Sequence, residues 1–232
     1  MTPLNELIDF QLILDNLDFV LMGLSTTLSI AIISFLSSLM IGTLIAIIRI
    51  LRVPILHWVA RFYVSFFRGV PALVVLFFLY FGLPFSGVTL EAYTAAVIGF
   101  TFTASAYSSE VIRSSIIAIE RAQWEMAMDL GANLRQVITR VILPQAAQIA
   151  IPGLSNVLLD LIKGTSLTAM ITVRDIFQQA KIVAASNNNF ITMYLLLAVL
   201  YWSICFIFEQ VQHYLERRYT VKETPISFQS FS

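Results

Sequence analysis

ERAQWEMAMDLGANLRQVITRVILP, residues Glu120–Pro144, is the only long polar interval in a chain otherwise built of apolar runs. Its first half, Ile119–Leu130, reads as an amphipathic helix. Ile119, Ala122, Met126 and Leu130 fall on one stripe, with Glu120, Arg121, Glu125 and Asp129 mostly elsewhere. Gly131 breaks the pattern where a residue free to take positive φ ends a helix. A second short helix is expected over Leu134–Leu143, stopped by Pro144. Two short helices hinged at a glycine between apolar spans make a docking surface, since a loop needs no internal hinge merely to turn around.

Working outward, composition places the chain in a membrane. Hydrophobic residues make up 58% of its 232 positions and charged residues only 12%, against about 25% in soluble proteins. Mean hydropathy is +0.83. A net charge of zero gives no reason to expect a nucleic-acid partner. The single Cys205 excludes an internal disulfide and a cysteine-based metal site. His57 and His213 are far apart in sequence and lack carboxylate companions, which argues against a metal.

Five spans are expected: Phe19–Ile48, Phe62–Leu83 interrupted by Arg68-Gly69-Val70-Pro71, Tyr93–Ile112, Ala146–Ile162 and Phe190–His213. The fold class is therefore an all-α membrane protein with five transmembrane helices. Residues 1–18 form an N-terminal segment with four acids and no Lys or Arg, 19–218 the membrane domain, and 219–232 a tail. The serines and threonines of the first span, with Gly23 and Gly42, suit close helix packing. Cations crowd the loops after spans one and three and the C-terminus. The positive-inside rule then places the N-terminus outside and the C-terminus and the 120–144 loop inside. Lys163, Arg174 and Lys181 go against that rule. They are tolerable only where residues 163–189, read as partly re-entrant or surface-lying, pack in protein or line an aqueous path.

The same polar interval resembles a family signature. Permease subunits of ATP-binding-cassette (ABC) importers carry Glu-Ala-Ala, three residues, Gly, nine residues, then Ile-x-Leu-Pro. Here Glu125-Met126-Ala127, Gly131 and Val141-Ile142-Leu143-Pro144 match it, with Met126 and Val141 as departures. Phe66-Phe67-Arg68-Gly69-Val70-Pro71, Tyr80-Phe81-Gly82-Leu83-Pro84, Ala106-Tyr107 with Glu110 and Arg113, Leu143-Pro144-Gln145-Ala146 and Lys163 with Thr165-Ser166-Leu167 look like the polar amino-acid branch. The resemblance runs from about Gly23 to Arg218. It implies a bacterial plasma-membrane permease that dimerises, as a homo- or heterodimer. It also implies separate ATPase subunits holding ATP and Mg, and an extracytoplasmic solute-binding protein. Glu125, Ala127, Gly131, Leu143 and Pro144 would then form the ATPase-coupling loop, and the chain itself would be no enzyme. The stretches Phe177-Gln178-Gln179-Ala180 and Thr192-Met193-Tyr194 look most like permeases for cystine and related sulfur amino acids.

Asn156, Asp160 and Lys163, spaced i, i+4, i+7, share one face of span four, which Pro152 breaks at one end. A carboxylate and an ammonium there match the two charges of a free amino acid; the bland alternative is an i, i+3 pair in which they only neutralise each other. Gly164 is expected to end the helix and turn the Thr165 and Ser166 hydroxyls toward a cavity. Asn156, Asp160, Lys163, Thr165 and Ser166 are the candidate substrate-binding set. Many relatives in the resembled family carry Lys-Asp-Thr-Ser-Leu where this chain has Lys163-Gly164-Thr165-Ser166-Leu167. Arg68 is expected to snorkel to an interface, and Glu110 with Arg113 to form a structural pair. Lys163-Gly164-Thr165-Ser166 lacks the glycine order of a phosphate loop. Two rivals stand beside the importer: an ion-coupled secondary amino-acid transporter using Asp160, and an intramembrane enzyme, for which no nucleophile–base constellation is visible.

Overall fold

A computed structural model describes residues 8–219, all helix and connections. The helices are α1 Phe10–Leu21, α2 Leu24–Leu51, α3 Leu56–Gly69, α4 Ala72–Phe77, α5 Ala92–Ile117, α6 Arg121–Asp129, α7 Leu134–Gln136, α8 Leu143–Gly164, α9 Ile176–Ser186 and α10 Phe190–Tyr219. Glu6 and all of the 219–232 tail but its first residue lie outside the described residues.

The core forms around α2 and α5, which run side by side in the same direction. Tyr93 donates to Ser29 at 3.0 Å near one end, and Glu110 meets Arg49 near the other. Small residues let them approach: a Cβ on Gly42 would lie 3.0 Å from the backbone nitrogen of Ser109. Between those ends the Ser38 and Ser108 hydroxyls share a hydrogen bond at 3.2 Å and Ser34 donates to the Val97 carbonyl. Close backbone contact with hydroxyls satisfied across the seam is the expected chemistry where apolar burial gives no drive. Ile30, Leu76, Phe100, Ile162 and Ile171 close the core from five elements.

A second core lies under the N-terminal helix. Asp9 caps α1 by accepting from Leu12 N–H, and Val20 of α1 packs with Ile176, Ala180 and Met193 of α9 and α10. The boundary drawn at residue 18 therefore falls inside α1. The segment reads as polar because its acids sit on the outer side of the turn, while Leu12, Ile13 and Leu17 turn inward.

Among the described residues, three helices are long and apolar enough to cross a membrane: Leu24–Leu51, the stretch Leu134–Ile171 and Phe190–Tyr214. The second expected span is instead a bent pair, Leu56–Gly69 and Ala72–Ser86, turned by 103°. Gly69 and Pro71 explain the bend: proline disfavours helical backbone at Val70, which is extended (φ −91°, ψ 130°). Helix α5 has the length of a span, about 39 Å at 1.5 Å per residue, but carries Thr, Ser, Glu110 and Arg113. It is the helix most enclosed by its neighbours, so its polarity faces protein.

Pro144 does not stop the helix. Just before it, Val137–Ile142 widens into a π turn in which Leu143 N–H donates to the Ile138 carbonyl, five residues back. Proline has no N–H and crowds the carbonyl four residues before it; a widened turn absorbs both defects. The same device precedes Pro84, where Leu83 N–H donates to the Phe78 carbonyl. Pro152 also lies inside α8 without ending it.

Candidate functional site

The polar interval folds as an elbow. Helix α6 ends at Gly131, which takes φ +83°. Ala132 N–H donates to the Ala127 carbonyl and Gly131 N–H to the Met128 carbonyl, the paired bonds of a Schellman ending. Ala127 is thus the acceptor that the turn closes upon, which accounts for its spacing from Gly131. Asn133 then caps the next turn through reciprocal bonds with Gln136. Trp124, Ala127, Ala132 and Val141 seat the elbow on Ile119, Val137 and Ile142. Outside, Met126, Met128, Leu130 and Leu134 form an exposed apolar edge among the exposed charges Arg121, Asp129 and Arg135. Glu125 is exposed and pairs with Arg121 at 2.8 Å, and Leu143 and Pro144 are exposed as well.

The break in the second span opens a cavity of about 390 Å³, within the range of small-molecule sites. Its polar lining is Arg68, Thr103, Tyr107 and Asp160, over apolar walls from Phe100, Val157 and Leu161. The Arg68 guanidinium lies 5.5 Å from the Tyr107 ring centroid, and Tyr107 donates to the Arg68 carbonyl at 3.4 Å. That cation–π contact turns Arg68 toward the cavity wall, where sequence reasoning expected it to snorkel away.

The five expected substrate residues do not converge. Asn156, Asp160 and Lys163 share one uncovered face of α8, as their spacing required, and Asp160 pairs with Lys163 at 3.0 Å. Only Asp160 reaches the cavity. Lys163 and Ser166 line a second, aromatic hollow of about 320 Å³ with Phe177, Tyr194 and Tyr201. Thr165 is fully buried and donates to the Ile162 carbonyl, and Ser166 donates to the Lys163 carbonyl. The Thr165 hydroxyl caps the helix and faces no cavity, while that of Ser166 bonds the helix end at the edge of the second hollow. The reason is that Gly164 keeps right-handed backbone (φ −63°) and the chain tightens into a 3-10 helix, Thr165–Ile171, instead of peeling away. Arg68, Thr103 and Tyr107 were missed as cavity residues; the signal available was the Arg-Gly-x-Pro interruption itself, which marks irregular backbone at a depth where only a cavity tolerates it.

Residues 171–184 pack in protein on one side, with Ile171, Val173, Ile176, Ala180 and Val183 buried, while Lys163 and Arg174 stay exposed. Asp175 caps α9, its Oδ1 accepting from Gln178 N–H at 2.8 Å, while its buried Oδ2 has no hydrogen-bond partner. Burial pushes its carboxyl from the ordinary value near 3.8 up to about 7, against the lowering effect of the Gln178 N–H.

Residues 38–221 match the family of binding-protein-dependent transport system inner membrane components. The chain is 44% identical to the probable amino-acid ABC transporter permease protein YckA of Bacillus subtilis (strain 168), over 90% of this chain and 92% of that one. It is 40% identical to the L-cystine transport system permease protein TcyB of the same organism, over 84% of each. Among solved structures it superimposes on a chain of an amino acid ABC transporter crystallised with histidines, with a TM-score of 0.85 and 29% identity over 91% of this chain and 99% of that one. The chain belongs to the family of binding-protein-dependent transport system inner membrane components, as an amino-acid ABC transporter permease subunit.

Proposed function

We propose that this subunit forms the pathway of an ATP-driven importer for a polar amino acid, with L-cystine or a related sulfur amino acid as its substrate. The observation that carries the reading is the cavity at the broken span, where one carboxylate and one guanidinium line a single space. A free amino acid offers an ammonium to Asp160 and a carboxylate to Arg68, with Tyr107 and Thr103 as hydroxyl partners. Ionisable groups within a membrane-spanning bundle are costly unless they face protein, water or a ligand. Cystine has two such zwitterionic ends. Its assignment is supported by similarity to the cystine permease TcyB and rests on no charge argument that excludes other polar amino acids.

The remaining assembly follows from the same reading. A second permease chain completes the pathway, a solute-binding protein delivers substrate outside, and separate ATPases hold ATP and Mg inside. The N-terminus lies outside and the C-terminus inside. The exposed apolar edge of the elbow, with Glu125, Ala127, Gly131, Leu143 and Pro144, takes up the ATPase. Nucleotide-driven movement there rocks the two permease halves between access to either side.

Uptake of labelled cystine is measured in vesicles holding this chain, its ATPase and its binding protein, with ATP inside. Asp160→Asn and Arg68→Gln are expected to raise KM at least ten-fold while the ATPase stays bound. Uptake that needs no ATPase and follows a proton or sodium gradient would sink the importer reading in favour of ion coupling through Asp160.

A further inference from the structure

Away from the broken span, the C-terminal ends of α2 and α5 and the start of α3 enclose a larger hollow of about 740 Å³. Arg49, Arg52, His57, Trp58, Arg61 and Arg113 line it. Four arginines thus face one space, and the carboxylate that reaches it through ion pairs is Glu110, bound to Arg49 and Arg113. Among the described residues, neither Arg52 nor Arg61 has a carboxylate within ion-pair distance. The local balance is therefore strongly positive. His57 Nδ1 is buried there without a hydrogen-bond partner. Arg61 stacks its guanidinium 5.0 Å over the Trp58 ring, which holds the cation beside an indole.

Next to the hollow, α3 leaves an apolar stripe uncovered. Ile55, Trp58, Val59, Phe62 and Phe66 are exposed at the spacing of one helix face. From Ile55 to Phe66 the stripe runs about 16 Å at 1.5 Å per residue. A cationic hollow at the end of a membrane bundle, opening onto an apolar strip, has two chemistries in fixed order: an anion at the interface and hydrocarbon toward the middle.

We propose that this hollow binds the phosphodiester headgroup of an anionic phospholipid, with an acyl chain lying along the Ile55–Phe66 stripe. Arg52 and Arg61 supply the free positive charge, in the way basic pockets between membrane helices take anionic headgroups. Trp58 sits at the headgroup level, where aromatic rings with a polar edge concentrate. The proposal requires only that the chain is a membrane component; it is independent of the substrate cavity and of the direction of transport.

The test is native mass spectrometry of the purified subunit in its complex, titrated with phosphatidylglycerol, with phosphatidylcholine, and with inorganic phosphate and glycerol phosphate as soluble anions. Phosphatidylglycerol is expected to bind at least ten-fold more tightly than phosphatidylcholine. Arg52→Gln with Arg61→Gln should weaken it about thirty-fold, since each cation near an anionic interface contributes about five-fold. Arg174→Gln, an exposed cation at the other end of the bundle, should leave lipid binding unchanged. Soluble phosphates binding as tightly as the lipid would overturn the lipid assignment in favour of a free anion. Equal binding of both lipids, or an unaltered double variant, overturns the site altogether. So does a disulfide between two chains carrying Trp58→Cys, which would show the stripe covered by a second copy. Loss of uptake with lipid binding intact would count against the importer reading alone.

Discussion

Glu110 of α5 accepts the Arg49 guanidinium of α2 at 2.5 Å, sixty-one residues away in sequence, and holds Arg113 on its other oxygen. All three side chains are largely buried, so this triad ties the two central helices at one end. Neutralising the acid leaves two guanidiniums together without their counter-ion. Glu110→Gln is expected to destabilise the subunit by about 2 kcal/mol, below the range of about 3–5 kcal/mol for a fully buried pair because the site is not fully enclosed. Thermal melting in detergent reads it directly, and an unchanged midpoint would show the triad to be a bystander.

At the opposite end, Gly23 packs against the backbone of Asp175. A Cβ added there would lie 2.4 Å from the Asp175 carbonyl carbon, where no flexible side chain can yield. Gly23→Ala should therefore cost about 1–3 kcal/mol or more through overpacking. Gly69, with nothing within 4 Å of a built Cβ, should accept alanine within about 0.5 kcal/mol. Melting midpoints of the two variants, compared side by side, decide whether the close approach is real.

Asp175 gives the fold a pH dependence of defined sign. Its carboxyl is raised to about 7 in the native state, so between about 4 and 7 the native state keeps a proton that the unfolded chain has released. Its contribution to stability is complete below about pH 4 and is lost as pH rises through about 7. The wild type should melt higher at pH 5.5 than at pH 8. Asp175→Asn keeps the oxygen that caps Gln178 N–H and cannot ionise, so it should flatten this difference and melt above wild type at pH 8. A variant retaining the full pH difference would place its origin elsewhere.

Among the described residues, two glycines take positive φ, Gly131 at the elbow and Gly87 at the other end of the bundle. Alanine in left-handed backbone costs about 1–2 kcal/mol at either position. Only the Gly131→Ala variant should lose ATPase on co-purification, by several-fold, because only that turn sets the angle between α6 and α7. Equal losses from both variants would mean that retention follows general stability and not the elbow.

How far the sequence speaks depends on the kind of signal. The elbow was legible at Gly131, which answers a local backbone demand, whereas the cap at Asn133 went unread although it too is local. The shared face of Asn156, Asp160 and Lys163 was legible too, since helical spacing alone decides it. Which neighbour that face meets was not: Asp160 and Lys163 lie within one turn yet open onto different hollows, and the partition is made by α5, α10 and the broken span. Pro144 misled for a related reason. Its ring forbids a regular turn, but whether the chain stops or widens depends on the burial of Val137 and Ile142 against the elbow, which is a tertiary fact. The acidic start of the chain concealed α1 because an amphipathic helix with one apolar stripe has the composition of a loop.

The widened turn before Pro144 has a mechanical consequence. Because the helix does not stop there, the elbow and Asp160 stand on one rod, Leu134–Ile171. From Leu134 to Asp160 it measures about 39 Å at 1.5 Å per residue. Pivoted near either of those residues, such a lever displaces the other by about 3 Å for each 5° of tilt. A stiff connection of that length needs no relay of side chains between the two places, only a fulcrum. At Gly153 the missing Cβ lets α8 press against Val111 of α5, a close contact along the rod that can serve as one.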